Sequence, residues 1–244
     1  MTIKHKKEEV IEDEPFDLTS LLDPSYPLLR MLKDLCAGTF KHSQSVAAIA
    51  EAVCTTIEID PLKTRIAAML HDIGKTRNPK LFTENQLADD ADPHENLDPY
   101  ISSQLIIKHV SDSVAILIND PNVPRDIIQM VSQHHGNGIV KFFFDKSDDT
   151  SAEAFRYNMP IPNTSESAIL MICDIVEATS RSRFQSGKLE IEKLIDVIFD
   201  ELMKDHQFDE VPLKWGMQLV IKETLVNELQ GIFQKRIDYD KAKK

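Results

Sequence analysis

Apolar residues recur along most of this chain at intervals of three and four, the spacing that buries one face of a helix. Val46, Ala47, Ile49, Ala50, Val53 and Ile57 trace such a face across residues 41–58. A shorter amphipathic helix is predicted over 28–40, interrupted at Gly38, after a turn at Asp23-Pro-Ser-Tyr-Pro27. Pro61 sits in the first turn of the next helix, which runs into Ile66-Ala-Ala-Met-Leu70 and is broken by Gly74. Asp98-Pro99 caps a helix to about residue 119, and Pro124 opens another ending at Gln133-His-His-Gly136. Asn163-Thr-Ser-Glu166 reads as a capping box for a long helix to about residue 183, and amphipathic helices follow near 190–204 and 213–235. Residues 76–98 are irregular, rich in Asn, Asp and Pro, and longer than a simple connection requires. Residues 139–144 are a short apolar piece and 146–152 a polar loop. No internal repeat is visible. The pattern predicts one all-α domain of nine or ten helices over 17–237, between a charged mobile arm at 1–16 and a polar tail at 238–244.

Composition narrows the class. At 244 residues, 42% hydrophobic and 28% charged, the chain has the balance of a soluble globular protein able to bury a substantial core. A net charge of −12 argues against binding a nucleic acid duplex, which needs clustered Lys and Arg. It leaves room for a small phosphorylated ligand held by a local positive site. Cys36, Cys54 and Cys173 are widely spaced, form no CxxC pair, and read as buried, reduced residues of a cytoplasmic protein. The charged N-terminus has no signal-peptide core, and no segment has the run of apolar residues that a membrane span requires.

The chemistry lies where ionisable side chains interrupt or end apolar runs. His71-Asp72 follow Ile66–Leu70, His109 follows Leu105-Ile-Ile, and His134-His135 follow an apolar stretch from Ile127 to Val131. Asp174 stands between Ala168-Ile-Leu-Met-Ile-Cys173 and Ile175-Val176, with no partner of its own in sequence. A buried unpaired carboxylate costs several kcal/mol, on the order of the whole stability of a domain. Imidazoles and carboxylates together offset that cost by sharing a divalent cation. Each histidine alone also fits a hydrogen-bonded core position; the coincidence across four helices points to metal.

His42, His71-Asp72 and Asp174 have the order and approximate spacing of the HD-domain metal-dependent phosphohydrolases, and the chain resembles that family. The resemblance tightens across Asp23-Pro-Ser-Tyr-Pro, Gly38-Thr-Phe-Lys-His-Ser43, His71-Asp-Ile-Gly-Lys75 and Thr83-Glu-Asn-Gln86. It continues through Asp92-Pro-His-Glu-Asn-Leu-Asp-Pro99, His134-His-Gly136, Phe155-Arg-Tyr157 and Asp174-Ile-Val-Glu-Ala178. Those stretches are similar to the HD domain of seven-transmembrane HD proteins, bacterial phosphodiesterases that cleave cyclic di-AMP. The resemblance implies an HD helical bundle with one metal on His42, His71, Asp72 and Asp174. It implies a second on Asp72 as bridge, His109, His134 and His135. Such a donor set suits Fe or Mn, and also Zn or Ni, over Mg or Ca. Two such ions polarise a phosphoryl oxygen and bring the pKa of a water near neutral.

Asp72 and Lys75 are then the catalytic candidates, with Lys75 meeting a phosphate or leaving-group oxygen. Arg156 and Arg181 are candidate phosphate contacts, Asn85 and Gln86 candidate base or entrance residues, and His94 a candidate supporting or lid residue. The Gly-Tyr-Pro signature of cyclic di-GMP phosphodiesterases is absent after His134-His135, while Asn137 and 146–152 depart from the cyclic di-AMP pattern. The family's membrane spans are also missing, so the chain is a free-standing relative or a fragment. The expected activity is hydrolysis of a cyclic dinucleotide, foremost cyclic di-AMP, to the linear form, by a chain able to form a homo-oligomer. The alternatives are hydrolysis of a dNTP or guanosine polyphosphate, or a non-catalytic nucleotide-binding module.

Overall fold

Aspartate-proline pairs start the helices that carry the ionisable residues. The Asp60 carboxylate accepts from Leu62 N–H and the Asp98 carboxylate from Tyr100 N–H, each with proline in the first turn. A computed structural model describes residues 16–87, 89–212 and 215–242. Among them are nine α-helices: α1 (Pro27–Leu35), α2 (Ala37–Thr56), α3 (Pro61–Leu70), α4 (Pro99–Leu117), α5 (Arg125–Gln133), α6 (Lys141–Phe144), α7 (Ser165–Gln185), α8 (Ile191–Lys204) and α9 (Trp215–Ala242). Short 3-10 turns complete the all-α architecture, and the one β-type pairing among the described residues is an isolated bridge between Ile139 and Arg156.

Helix α2 is central, packing on α3, α7 and α9. Its Val46, Ile49, Ala50, Val53 and Cys54 are fully buried, as the periodicity requires, and Ile57 packs partly buried against the same core. Ile66, Leu70, Ile127, Val131, Ile169, Leu170 and Ile172 extend that core across α3, α5 and α7. Helices α8 and α9 close it with Leu194, Ile195, Leu225 and Leu229. No helix among the described residues is long and apolar enough to cross a membrane.

Several predicted boundaries move. The break between the first two helices falls at Cys36, not Gly38, which lies in the first turn of α2. A Cβ on Gly38 would lie 1.7 Å from the Glu84 carbonyl oxygen, so the glycine admits a loop. Helix α3 ends at Leu70, and Gly74 lies in the 3-10 turn that follows rather than stopping the helix. A Cβ there would meet the His109 carbonyl oxygen at 2.1 Å, so Gly74 lets this turn rest on α4. The capping box is one residue later than predicted: Thr164 pairs with Ser167, the third helical residue, because Glu166 comes too early to reach back. The irregular stretch after His71 contains 3-10 turns at Ile73–Arg77, Pro79–Leu81 and Thr83–Asn85. Helix α9 continues to Ala242, through most of the expected polar tail. The expected N-terminal arm, except Phe16, lies outside the described residues.

Candidate metal centre

Five elements converge on one buried spot: His42 from α2, His71-Asp72 from the end of α3, His109 from α4, His134-His135 from the end of α5, and Asp174 from α7. His71, Asp72, His109, His134 and Asp174 are all buried, Asp72 with 2% of its surface exposed. Asp72 stands at the centre. Its Oδ2 lies 3.2 Å from His71 Nε2 and 3.9 Å from His42 Nε2. Its Oδ1 lies 3.1 Å from His109 Nε2 and 3.9 Å from His134 Nε2. Asp174 divides in the same way, with Oδ1 2.9 Å from His42 Nε2 and 3.6 Å from His71 Nε2, and Oδ2 3.8 Å from His135 Nδ1. All seven predicted ligands therefore meet, with imidazoles on both sides of the two carboxylates.

Helix geometry fixes the tautomers. The Nδ1–H groups of His71, His109 and His134 point at the carbonyls of Ala68, Ile106 and Val131, three residues earlier, at 2.8, 2.7 and 2.6 Å. A neutral imidazole that donates through Nδ1 presents a lone pair at Nε2. Those lone pairs then face one another (His109 and His134 Nε2 are 3.3 Å apart) and the carboxylate oxygens. His71 Nε2 and Asp72 Oδ1 are buried with no hydrogen-bond partner. Acceptors converging on acceptors in a dry interior require a cation between them, and the nitrogen–oxygen donor set fits a transition metal.

Charge shows the same need. Burial opposes charging His71, but Asp72 and Asp174 outweigh it and raise its pKa to about 10. Against their own burial, Asp72 and Asp174 are held well below the usual carboxylate range, foremost by the His71 imidazolium for Asp72 and by hydrogen bonds from His42 and His71 for Asp174. Burial pushes His135 down to about 3, and burial with the neighbouring imidazoles pushes His134 far below its ordinary value.

Glu177, not singled out from the sequence, is the main addition. It is buried, and its Oε2 lies 2.5 Å from His42 Nδ1, orienting that ring with Nε2 toward Asp174. The same oxygen is 3.4 Å from Arg181 Nε. Its position one helical turn after Asp174, inside a buried run, was a readable signal. Lys75 Nζ bonds Asp72 Oδ2 at 2.7 Å and Glu84 Oε1 at 2.8 Å, and lies 4.8 Å from the centre of the Phe82 ring. Burial opposes its charge, but both carboxylates hold its pKa above the usual lysine range. His42, Asp72, Lys75, His135, Asp174 and Arg181 line a cleft of about 540 Å³, together with Thr83, Thr179, Ser182 and Gln185.

Other predicted contacts are engaged elsewhere. Asn85 uses both ends of its amide on Thr39, accepting from its N–H and donating to its hydroxyl, which clamps the Thr83–Asn85 turn to α2. Gln86 donates to the Lys80 carbonyl. Arg156 forks onto Asp205, at 2.9 and 3.2 Å, and also donates to the Asn137 carbonyl. Neither amide nor this guanidinium lines the cleft. His94 contacts the Leu81 carbonyl and packs on Phe143, tying down its own loop.

A helical bundle whose buried histidines and aspartates gather around one His-Asp dipeptide defines an HD-type domain. The chain belongs to the HD-domain family, whose model matches residues 39–179. It is 38% identical over 231 residues to the cyclic-di-AMP phosphodiesterase PgpH of Bacillus subtilis, matching 93% of this chain and 32% of that protein. PgpH of Listeria monocytogenes is 37% identical over 226 residues, 91% of this chain and 31% of the relative. The chain thus spans about a third of the length of these relatives. The crystal structure of the Listeria PgpH HD domain in complex with cyclic-di-AMP superposes with a TM-score of 0.79 at 36% identity, covering 86% of this chain and 99% of that one.

Proposed function

We propose that this domain is a metal-dependent phosphodiesterase that opens a cyclic dinucleotide, cyclic di-AMP in preference to others, to its linear form. The observation that carries the reading is the division of Asp72 and Asp174, each turning one oxygen toward either group of imidazoles. That division suits two metal ions, one on His42, His71, Asp72 and Asp174 and the other on Asp72, His109, His134 and His135. When bound, two such ions polarise a phosphoryl oxygen, activate water at neutral pH and steady both oxygens of a displacement. The likeness to a solved HD domain in complex with cyclic-di-AMP supports the choice of substrate.

The chain's own residues have separable tasks. Glu177 fixes the His42 ring, and the backbone carbonyls of Ala68, Ile106 and Val131 fix the other three. Lys75 stays charged beside Asp72, and Arg181 adds a second cation to the cleft; together they favour an anionic ligand in a chain of net charge −12. Three free, buried cysteines support a cytoplasmic setting for the domain. The test is hydrolysis by protein loaded with Mn or Fe of cyclic di-AMP, cyclic di-GMP, dNTPs and guanosine polyphosphates. Fastest turnover of cyclic di-AMP is the expected result. Equal rates on both cyclic dinucleotides would remove the adenine preference, and activity confined to dNTPs or guanosine polyphosphates would overturn the assignment.

A further inference from the structure

Beside the polar cleft lies a second, of about 670 Å³. The two share His135, Ile175 and Thr179, so they open on opposite sides of one edge of the histidine–aspartate cluster. Their walls differ in chemistry. The first carries Lys75, Glu84 and Arg181, whereas the second is walled by Val140, Phe144, Tyr157, Ile198 and Leu202. The Tyr157 ring lies 4.4 Å from His135 and is tilted by 32°, forming an aromatic step from the cluster into this cleft. At its lining stands Lys204, which has no ion-pair partner among the described residues.

We propose that this second cleft seats one purine base of the dinucleotide, an inference that rests on the phosphodiesterase reading above. A scissile phosphate held at the cluster has a nucleoside on either side, and the protein offers one cleft on either side. A base has apolar π-faces and a polar edge, so it suits apolar walls with aromatic rings, as single-stranded nucleic acid sites do. Both clefts fall within the ~300–1,000 Å³ of ordinary ligand sites. Lys204 places a positive charge where the sugar–phosphate leaves the second cleft.

Val140→Trp tests the assignment by filling the cleft. The Val140 side chain is half-buried on the wall, while its backbone N–H bonds the Phe155 carbonyl and is untouched by the change. KM for cyclic di-AMP is expected to rise tenfold or more, with metal content retained. Phe144→Ala, which removes an aromatic wall without adding bulk, is a second variant in case the tryptophan disturbs folding; it should raise KM severalfold. A cyclic dinucleotide carrying 2-aminopurine for one adenine should lose fluorescence on binding the wild-type protein by stacking in the cleft. That quenching should weaken in Phe144→Ala. Wild-type KM and quenching in a folded variant that keeps its metal would overturn the inference alone. A wild-type protein that turns over no cyclic dinucleotide would overturn the phosphodiesterase reading and this one with it.

Discussion

An imidazole that has given its Nδ1–H to a backbone carbonyl has only a lone pair left for the interior, and three histidines here are in that state. Asp72 is the group their lone pairs share. Asp72→Ala is therefore expected to abolish hydrolysis and to empty both groups of ligands, as read by elemental analysis. His134→Ala, on one side only, should remove mainly one metal. Equal metal content in wild type and Asp72→Ala would contradict the shared carboxylate. Glu177 acts one step out, through His42. Replacing a partner of this kind costs about 10–100-fold in metal affinity, so a metal titration of Glu177→Ala should show that loss. Glu177→Gln, whose amide oxygen still accepts from Nδ1–H, should recover much of it. The ligands were legible as ionisable residues interrupting apolar runs. Asn85 and Arg156 were misjudged because their partners, Thr39 and Asp205, are remote in sequence, and nothing local reveals the pairing.

Helices were legible because periodicity and proline caps are local; the contacts that aim them at the centre are not. The sequence has Gly74 after His-Asp, which resembles a helix stop. Its use is different: the turn bearing Asp72 presses on α4 so closely that Gly74 N–H donates to Ser113 Oγ at 2.8 Å. That approach brings Asp72 within reach of His109, on the same helix. Gly74→Ala must push these elements apart or strain them, an overpacking cost of about 1–3 kcal/mol. The expected result is a lower midpoint of chemical denaturation together with weakened metal binding, even though residue 74 contributes no ligand. Unchanged metal affinity in that variant would show that the turn and α4 can part without moving Asp72. Gly38 has the same role at the other end of the loop, where it admits the Glu84 backbone and so the carboxylate that flanks Lys75.

The whole molecule is organised as a ring of helices tied at one point. Ligands come from α2, α3, α4, α5 and α7, elements that otherwise meet through apolar contacts. The two clefts arise from how these elements and α8 pack together, so neither their shapes nor their different walls could be read from the order of residues. A metal that binds the folded arrangement and not the unfolded chain stabilises it by mass action, about 4 kcal/mol at a free concentration 1,000 times Kd. For a chain of this size each kcal/mol moves the melting midpoint by about 2–4 °C. Removing metal with a chelator should therefore lower the midpoint by about 8–16 °C, and adding back Mn or Fe should restore it at about two ions per chain. Asp72→Ala should melt at one temperature with or without metal, because the carboxylate common to both groups is gone. A chelated wild-type protein that melts where the loaded protein does would mean that the helices hold together without the tie, and would sink this account of the domain's stability.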